Sequence, residues 1–202
     1  MIKESIILWD FDGVIMNSNS VRDLGFEKVL NEFPIEQVNL LMKFHRENGG
    51  LSRYVKFRYF FEEIRKEEVT EKEVVNWAKK FSFIMLEELS KESLLINETL
   101  SYVKENYQDK KMHIVSASDQ NELRQICEKF NITQFFNSIH GSPTSKSVNI
   151  KELLENCGYD SSNVALIGDS INDYNAAMDN NISFYGYNNL DLEKLGIYIK
   201  NF

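Results

Sequence analysis

Four short apolar runs, each stopped by polar or turn-forming residues, constrain this chain more than any other feature: Ile6 to Trp9, Met112 to Val115, Val164 to Ile167 and Ile182 to Tyr185. A continuous apolar run of strand length fits a strand covered on both faces, as in a parallel sheet. Helical patterns separate the later runs, at Glu122 to Phe130, Ile150 to Cys157 and Asp173 to Met178. Parallel strands need such crossovers, so the chain reads as α/β, a Rossmann-like doubly wound parallel sheet.

Between the first two runs this rhythm breaks, and nearly everything reads as helix. From Glu71 to Leu89 the residues Val74, Trp77, Ala78, Phe81, Ile84, Met85 and Leu89 recur every three or four positions, which makes one buried helical face. Thr70 and Glu73 form a capping box ahead of it. Earlier helices are expected over about 20–31, 35–47 and 52–66, divided by Pro34 and by Gly49-Gly50. The expected organisation is a core over residues 1–17 and 96–202, with an inserted α-helical cap domain over 18–95. Ligands of wound sheets bind outside the carboxyl ends of the strands, and a bundle inserted after Asp12 would lie over that edge as a lid.

With 202 residues, 43% of them hydrophobic, the chain can bury a core and a smaller helical insert. A net charge of −8 argues against a nucleic-acid surface, which needs a basic excess. No apolar run approaches the ~20 residues that span a bilayer. Two cysteines, Cys127 and Cys157, and no secretory leader pattern imply a reduced, cytoplasmic protein.

Chemistry concentrates at the ends of the strands. "DFDG" places Asp10 and Asp12 two positions apart, a pair that taken alone fits a solvated turn as well as a site. "HIVSAS" ends a strand in Ser116-Ala117-Ser118, and Asp119 with Glu122 reads as a second capping box; a helix start offers free N–H groups to an anion. "GSPTSK" brings Lys146 to the start of a helix, and "GDSIND" sets Asp169 and Asp173 around another strand end. In a wound sheet these ends converge on one crevice. Like charges ~4 Å apart repel by about 4 kcal/mol at an effective dielectric near 20, so such a cluster needs Lys146 and a divalent cation. Mg²⁺ suits it, since that ion takes one or two carboxylates plus water and substrate phosphate.

The order "DFDGVI", Ser116, Lys146, "GDSIND" resembles the four-motif signature of the haloacid-dehalogenase-like superfamily, within it the phosphoglycolate-phosphatase and β-phosphoglucomutase group. The resemblance implies a Mg²⁺-dependent phosphatase acting on a small phosphorylated metabolite, a sugar phosphate or a phospho-acid such as phosphoglycolate. Asp10 would be the nucleophile that takes the phosphoryl group, and Asp12 the acid and base. That division expects Asp10 to be held anionic by metal and lysine while Asp12 can carry a proton. Ser116 and the Ala117 N–H would bind phosphoryl oxygens, Lys146 would neutralise them, and Gly13 would let backbone amides approach. The metal would be held by Asp10, the Asp12 carbonyl and Asp169, with Asp173 behind. Gly168 stands where some mutases of the group have an acidic residue, which favours the phosphatase.

The inserted segment holds a local basic excess, Arg46, Arg53, Lys56 and Arg58. Arg53 and Lys56, at i and i+3, either grip a second anionic or polyhydroxyl group of the substrate or form a solvated face paired with Glu62 and Glu63. His45 and His113 read as structural. The alternatives are a phosphomutase, which returns the phosphoryl group to a sugar, and a phospho-accepting signalling receiver. A monomer and a homodimer both fit the composition.

Overall fold

A computed structural model describes residues 2–202. Its six strands are β1 (Ile6–Trp9), β2 (Lys111–Asp119), β3 (Ser138–Ser142), β4 (Val164–Gly168), β5 (Ser183–Tyr187) and β6 (Ile197–Ile199). All pair in parallel, in the order β3-β2-β1-β4-β5-β6. Every residue of β1 is buried: Ile7 and Trp9 pack into one hydrophobic cluster and Ile6 and Leu8 into another, one on each side of the sheet. That burial is why the run shows no polar alternation.

Four helices follow β1: α1 (Asn19–Val29), α2 (Ile35–Glu47), α3 (Arg53–Tyr59) and α4 (Glu71–Glu88). α3 runs on into a π-helical turn at Phe60–Arg65. α4 buries Val74, Ala78, Phe81 and Met85 and starts with the Thr70–Glu73 capping box. Its Phe81 ring lies 4.4 Å from that of Phe26 on α1, so aromatic packing ties the bundle together. The remaining helices are α5 (Asn97–Asn106), α6 (Gln120–Lys129), α7 (Lys146–Cys157) and α8 (Ile171–Asp179). The two chain segments joining the inserted helices to the sheet are themselves paired, with Asn17 N–H donating to Leu94 O at 2.7 Å and Ile96 N–H to Ile15 O at 2.9 Å.

Three local expectations differ from the structure. β3 and β6 lie outside the four apolar runs, because β3 carries Ser138, His140 and Gly141 and β6 is a three-residue edge strand. The second run continues to Asp119, with a register shift against β3 between Val115 and Asp119. The Asp119–Glu122 box is also incomplete. Asp119 accepts from the Asn121 and Glu122 N–H groups, but the Glu122 carboxylate turns away to two arginines.

Candidate active site

Register brings the motif residues together. Trp9 is level with Ile114 of β2 and Ile167 of β4, so the next residues, Asp10, Val115-Ser116 and Gly168-Asp169, emerge side by side at the carboxyl edge. The strand order reverses between β1 and its neighbours, which opens the crevice where wound sheets bind ligands. Lys146, the first residue of α7, sets its Nζ 2.8 Å from Asp10 Oδ1, donating also to Asp173 Oδ1. Asp173 is 0% exposed; its Oδ2 accepts from Ser170 N–H at 3.0 Å and Ser170 Oγ at 2.8 Å, completing a capping box on α8.

Two glycines make room for these carboxylates. Gly13 has φ +76°, and a Cβ there would fall 1.9 Å from Asp169 Oδ2. A Cβ on Gly168 would meet the Asp173 side chain at 2.3 Å, so the position next to Asp169 is filled by Asp173 itself.

Three carboxylates against one ammonium leave the edge short of positive charge. Burial, then the nearby Asp173, raises the Asp10 pKa well above its ordinary value despite Lys146. Burial and Asp173 push Asp169 up to about 7. Burial would lower Lys146, but Asp10 and Asp173 hold its pKa above the usual lysine range. Oxygens of Asp10, Asp169 and Asp173 lie within 4.8 Å of one another, a hard-oxygen donor set that fits a divalent cation such as Mg²⁺. Since both Asp173 oxygens are already bonded, Asp10 and Asp169 are the carboxylates free to ligate.

Asp12 is held differently. Its carboxylate pairs with Arg22 Nε of α1 at 3.0 Å and accepts from the hydroxyls of Ser18 and Ser118. Burial alone would raise its pKa, but Arg22, Ser118 and Ser18 bring it below the ordinary aspartate value. The protein's own side chains therefore favour the anion more at Asp12 than at Asp10, and the expected division of roles relies on the metal together with Lys146 to hold Asp10 anionic. The reason is local: Arg22 stands beside Asp12 at 3.0 Å. Ser116 is buried, its Oγ accepting from Ser118 N–H at 3.1 Å.

A cavity of about 690 Å³ separates this edge from the inserted helices, lined by Asp10, Asp12, Ser116, Ala117 and Asp169 below and by Arg22, His45, Arg53 and Lys56 above. The structure places Arg53 and Lys56 against the cavity, and neither belongs to a solvated face. Arg53 is 4% exposed and binds Glu122 of α6 through both terminal nitrogens, at 2.6 and 2.8 Å. Lys56 is 2% exposed and touches His45 Nδ1 at 2.7 Å and Gly49 O at 3.2 Å. The surface pair with Glu62 falls to Arg58. Gly50 approaches the core so closely that a Cβ would lie 2.7 Å from Ser170 Oγ. Arg22, Glu122 and His45 are site residues that sequence reading missed or left as structural. Arg22 carries no local pattern, and Glu122 has the spacing of an ordinary cap.

The sequence model of the family described as "Haloacid dehalogenase-like hydrolase" matches residues 7–187. No curated protein matches the chain by sequence. Among solved structures, β-phosphoglucomutase from Clostridium difficile superposes with a TM-score of 0.78 at 16% identity, over 98% of this chain and 91% of that one. A predicted phosphatase from Clostridium acetobutylicum gives 0.74 at 17% identity, over 96% and 91%. A predicted phosphoglycolate phosphatase from Haemophilus somnus gives 0.69 at 19% identity, over 99% and 89%. At these identities the likeness is one of fold, and it extends through the inserted helices.

Proposed function

Because the chain belongs to the haloacid dehalogenase-like hydrolase family, we propose that it is a Mg²⁺-dependent phosphatase of small phosphorylated metabolites, working through a phosphorylated Asp10. The observation that carries this reading is Lys146 Nζ held 2.8 Å from Asp10 at a strand edge that also gathers Asp169 and Asp173. Asp10 would hold the metal through one oxygen, with Asp169, and present the other to phosphorus. The bound ion supplies charge neutralisation at the transferring group. Lys146 spreads positive charge toward the same oxygens, and Ser116 with the Ala117 N–H lines their side of the cavity. Asp12, entering the reaction in its protonated form, would give that proton to the departing oxygen and then take one from the attacking water, which restores it. Residue 168 is a glycine where some mutases of the group carry an acidic side chain, which favours transfer to water over return to a sugar.

The test is turnover of an aryl phosphate by the purified protein. Turnover should require Mg²⁺, stop with EDTA, and vanish in Asp10→Asn while that variant keeps its fold. Undiminished turnover in Asp10→Asn would remove the nucleophile assignment. An isomerised sugar phosphate in place of free phosphate would identify a mutase, and a stable phosphoprotein without turnover would identify a receiver.

A further inference from the structure

The cavity roof contains a closed charge account centred on Glu122. This carboxylate sits in the first turn of α6, 1% exposed, and accepts from Arg22 Nη1 and from both terminal nitrogens of Arg53. Arg22 also carries Asp12 through Nε and donates to Ser118 Oγ at 2.9 Å, and Arg53 donates to Ser82 Oγ at 2.7 Å. Two buried guanidinium groups thus face two carboxylates, Glu122 buried and Asp12 partly exposed.

Arg46 and His45 of the roof are no freer. Arg46 is paired with Asp23 at 2.8 Å. His45 holds Asp23 through Nε2 at 3.0 Å, and burial, then Lys56, lowers its pKa to about 3, so its ring is neutral. Among the described residues Lys56 alone lines the roof without a carboxylate within 4.0 Å, and burial brings it down to about 7.

Glu122 and Asp12 already balance the charge of Arg22 and Arg53, so an anionic substituent entering this space adds a net negative charge beside them, and full pairing with either arginine means displacing the buried Glu122. An unpaired buried carboxylate is strongly disfavoured. A hydroxylated, uncharged group needs no displacement. Each guanidinium has five N–H donors, and the bonds above leave two unused on Arg53 and two on Arg22. The Phe26 and Phe81 rings line the same space and offer apolar faces to C–H groups.

We propose that Glu122 is a specificity-determining residue: by neutralising Arg22 and Arg53 it restricts the site to phosphomonoesters whose leaving group is uncharged and hydroxylated, and rejects those carrying a second carboxylate or phosphate. The inference rests on the hydrolase reading above and narrows its substrate class. It disfavours the phospho-acid named among the expectations.

Two phosphate esters of matched size decide the matter, 2-hydroxyethyl phosphate and 2-phosphoglycolate, each competing with an aryl phosphate on the Mg²⁺-loaded protein. In the wild type the hydroxyethyl ester should inhibit at least about tenfold more tightly. Glu122→Gln should shrink that ratio toward one by strengthening phosphoglycolate, and Glu122→Asp should restore part of it. Equal inhibition in the wild type, or tighter phosphoglycolate, overturns the proposal without any variant. So does an unchanged ratio in a folded Glu122→Gln. If the aryl phosphate is not turned over at all, the hydrolase reading fails separately, and calorimetric binding of the same two esters still decides the specificity.

Discussion

At the carboxyl edge of the sheet, three clustered carboxylates face one ammonium; under the inserted helices, two carboxylates share two guanidinium groups. Both clusters are hydrogen-bonded, yet only in the second do the cations match the carboxylates in number. The first raises the pKa of Asp10 and Asp169, and the second lowers that of Asp12 and Glu122. An unbalanced cluster stores a demand for an outside cation, which suits a site that loads metal and phosphate together. A balanced one stores position, holding helices and side chains at fixed places.

Substitution should separate the two. Lys146→Ala strips Asp10 and Asp173 of the ammonium that pairs with both, and aryl phosphate turnover should drop roughly 10³-fold or more. Asp12→Asn should cost about 10² to 10⁴ in kcat, with the loss greatest for esters whose leaving oxygen needs a proton. Glu122→Ala leaves two buried guanidinium groups facing each other, so urea unfolding should show a loss of about 3–5 kcal/mol. A loss confined to activity would mean that the roof cluster is not structural.

The pH dependence should have opposite signs in the two places. Asp169 titrates at about 7 when folded against 3.8 ordinarily, so the metal-free protein binds an extra proton between those values. Stability from this group is full at low pH and is lost as pH rises toward 7. Asp12 and Glu122, both lowered, stabilise above their ordinary values and lose that contribution as pH falls through their folded ones. Melting curves in EDTA should therefore show the decline between about pH 4 and 7, and Mg²⁺ should flatten it. The smallest effect is expected outside both clusters. Arg58→Ala breaks pairs with Glu62 and Glu71 in which all three side chains are at least 37% exposed, and should cost under about 1 kcal/mol.

The two clusters also differed in how far the sequence revealed them. Asp10, Asp12, Ser116, Lys146, Asp169 and Asp173 follow strand runs or open helices, so local pattern and sheet topology together brought them to one edge. The roof cluster depends on tertiary contact alone. Arg22, Glu122 and Arg53 come from α1, α6 and α3, and each has an ordinary local explanation: a polar helix position, a capping glutamate, a basic surface. The capping-box spacing at Asp119 and Glu122 actively misled, since a glutamate at that position is free to reach either its own backbone or a distant arginine. β3 escaped notice for a related reason, its backbone pairing being supplied by β2 while its side chains stay largely polar.

Gly50 has a consequence that outlasts the question of substrate. The loop bearing it rests against Ser170 and Asn172 at a separation too small for a single added carbon. A methyl group at position 50 would work as a wedge, propping the roof away from the floor and letting bulk water flood the chamber. The fit of the two halves is thus gauged by a side chain that was never there.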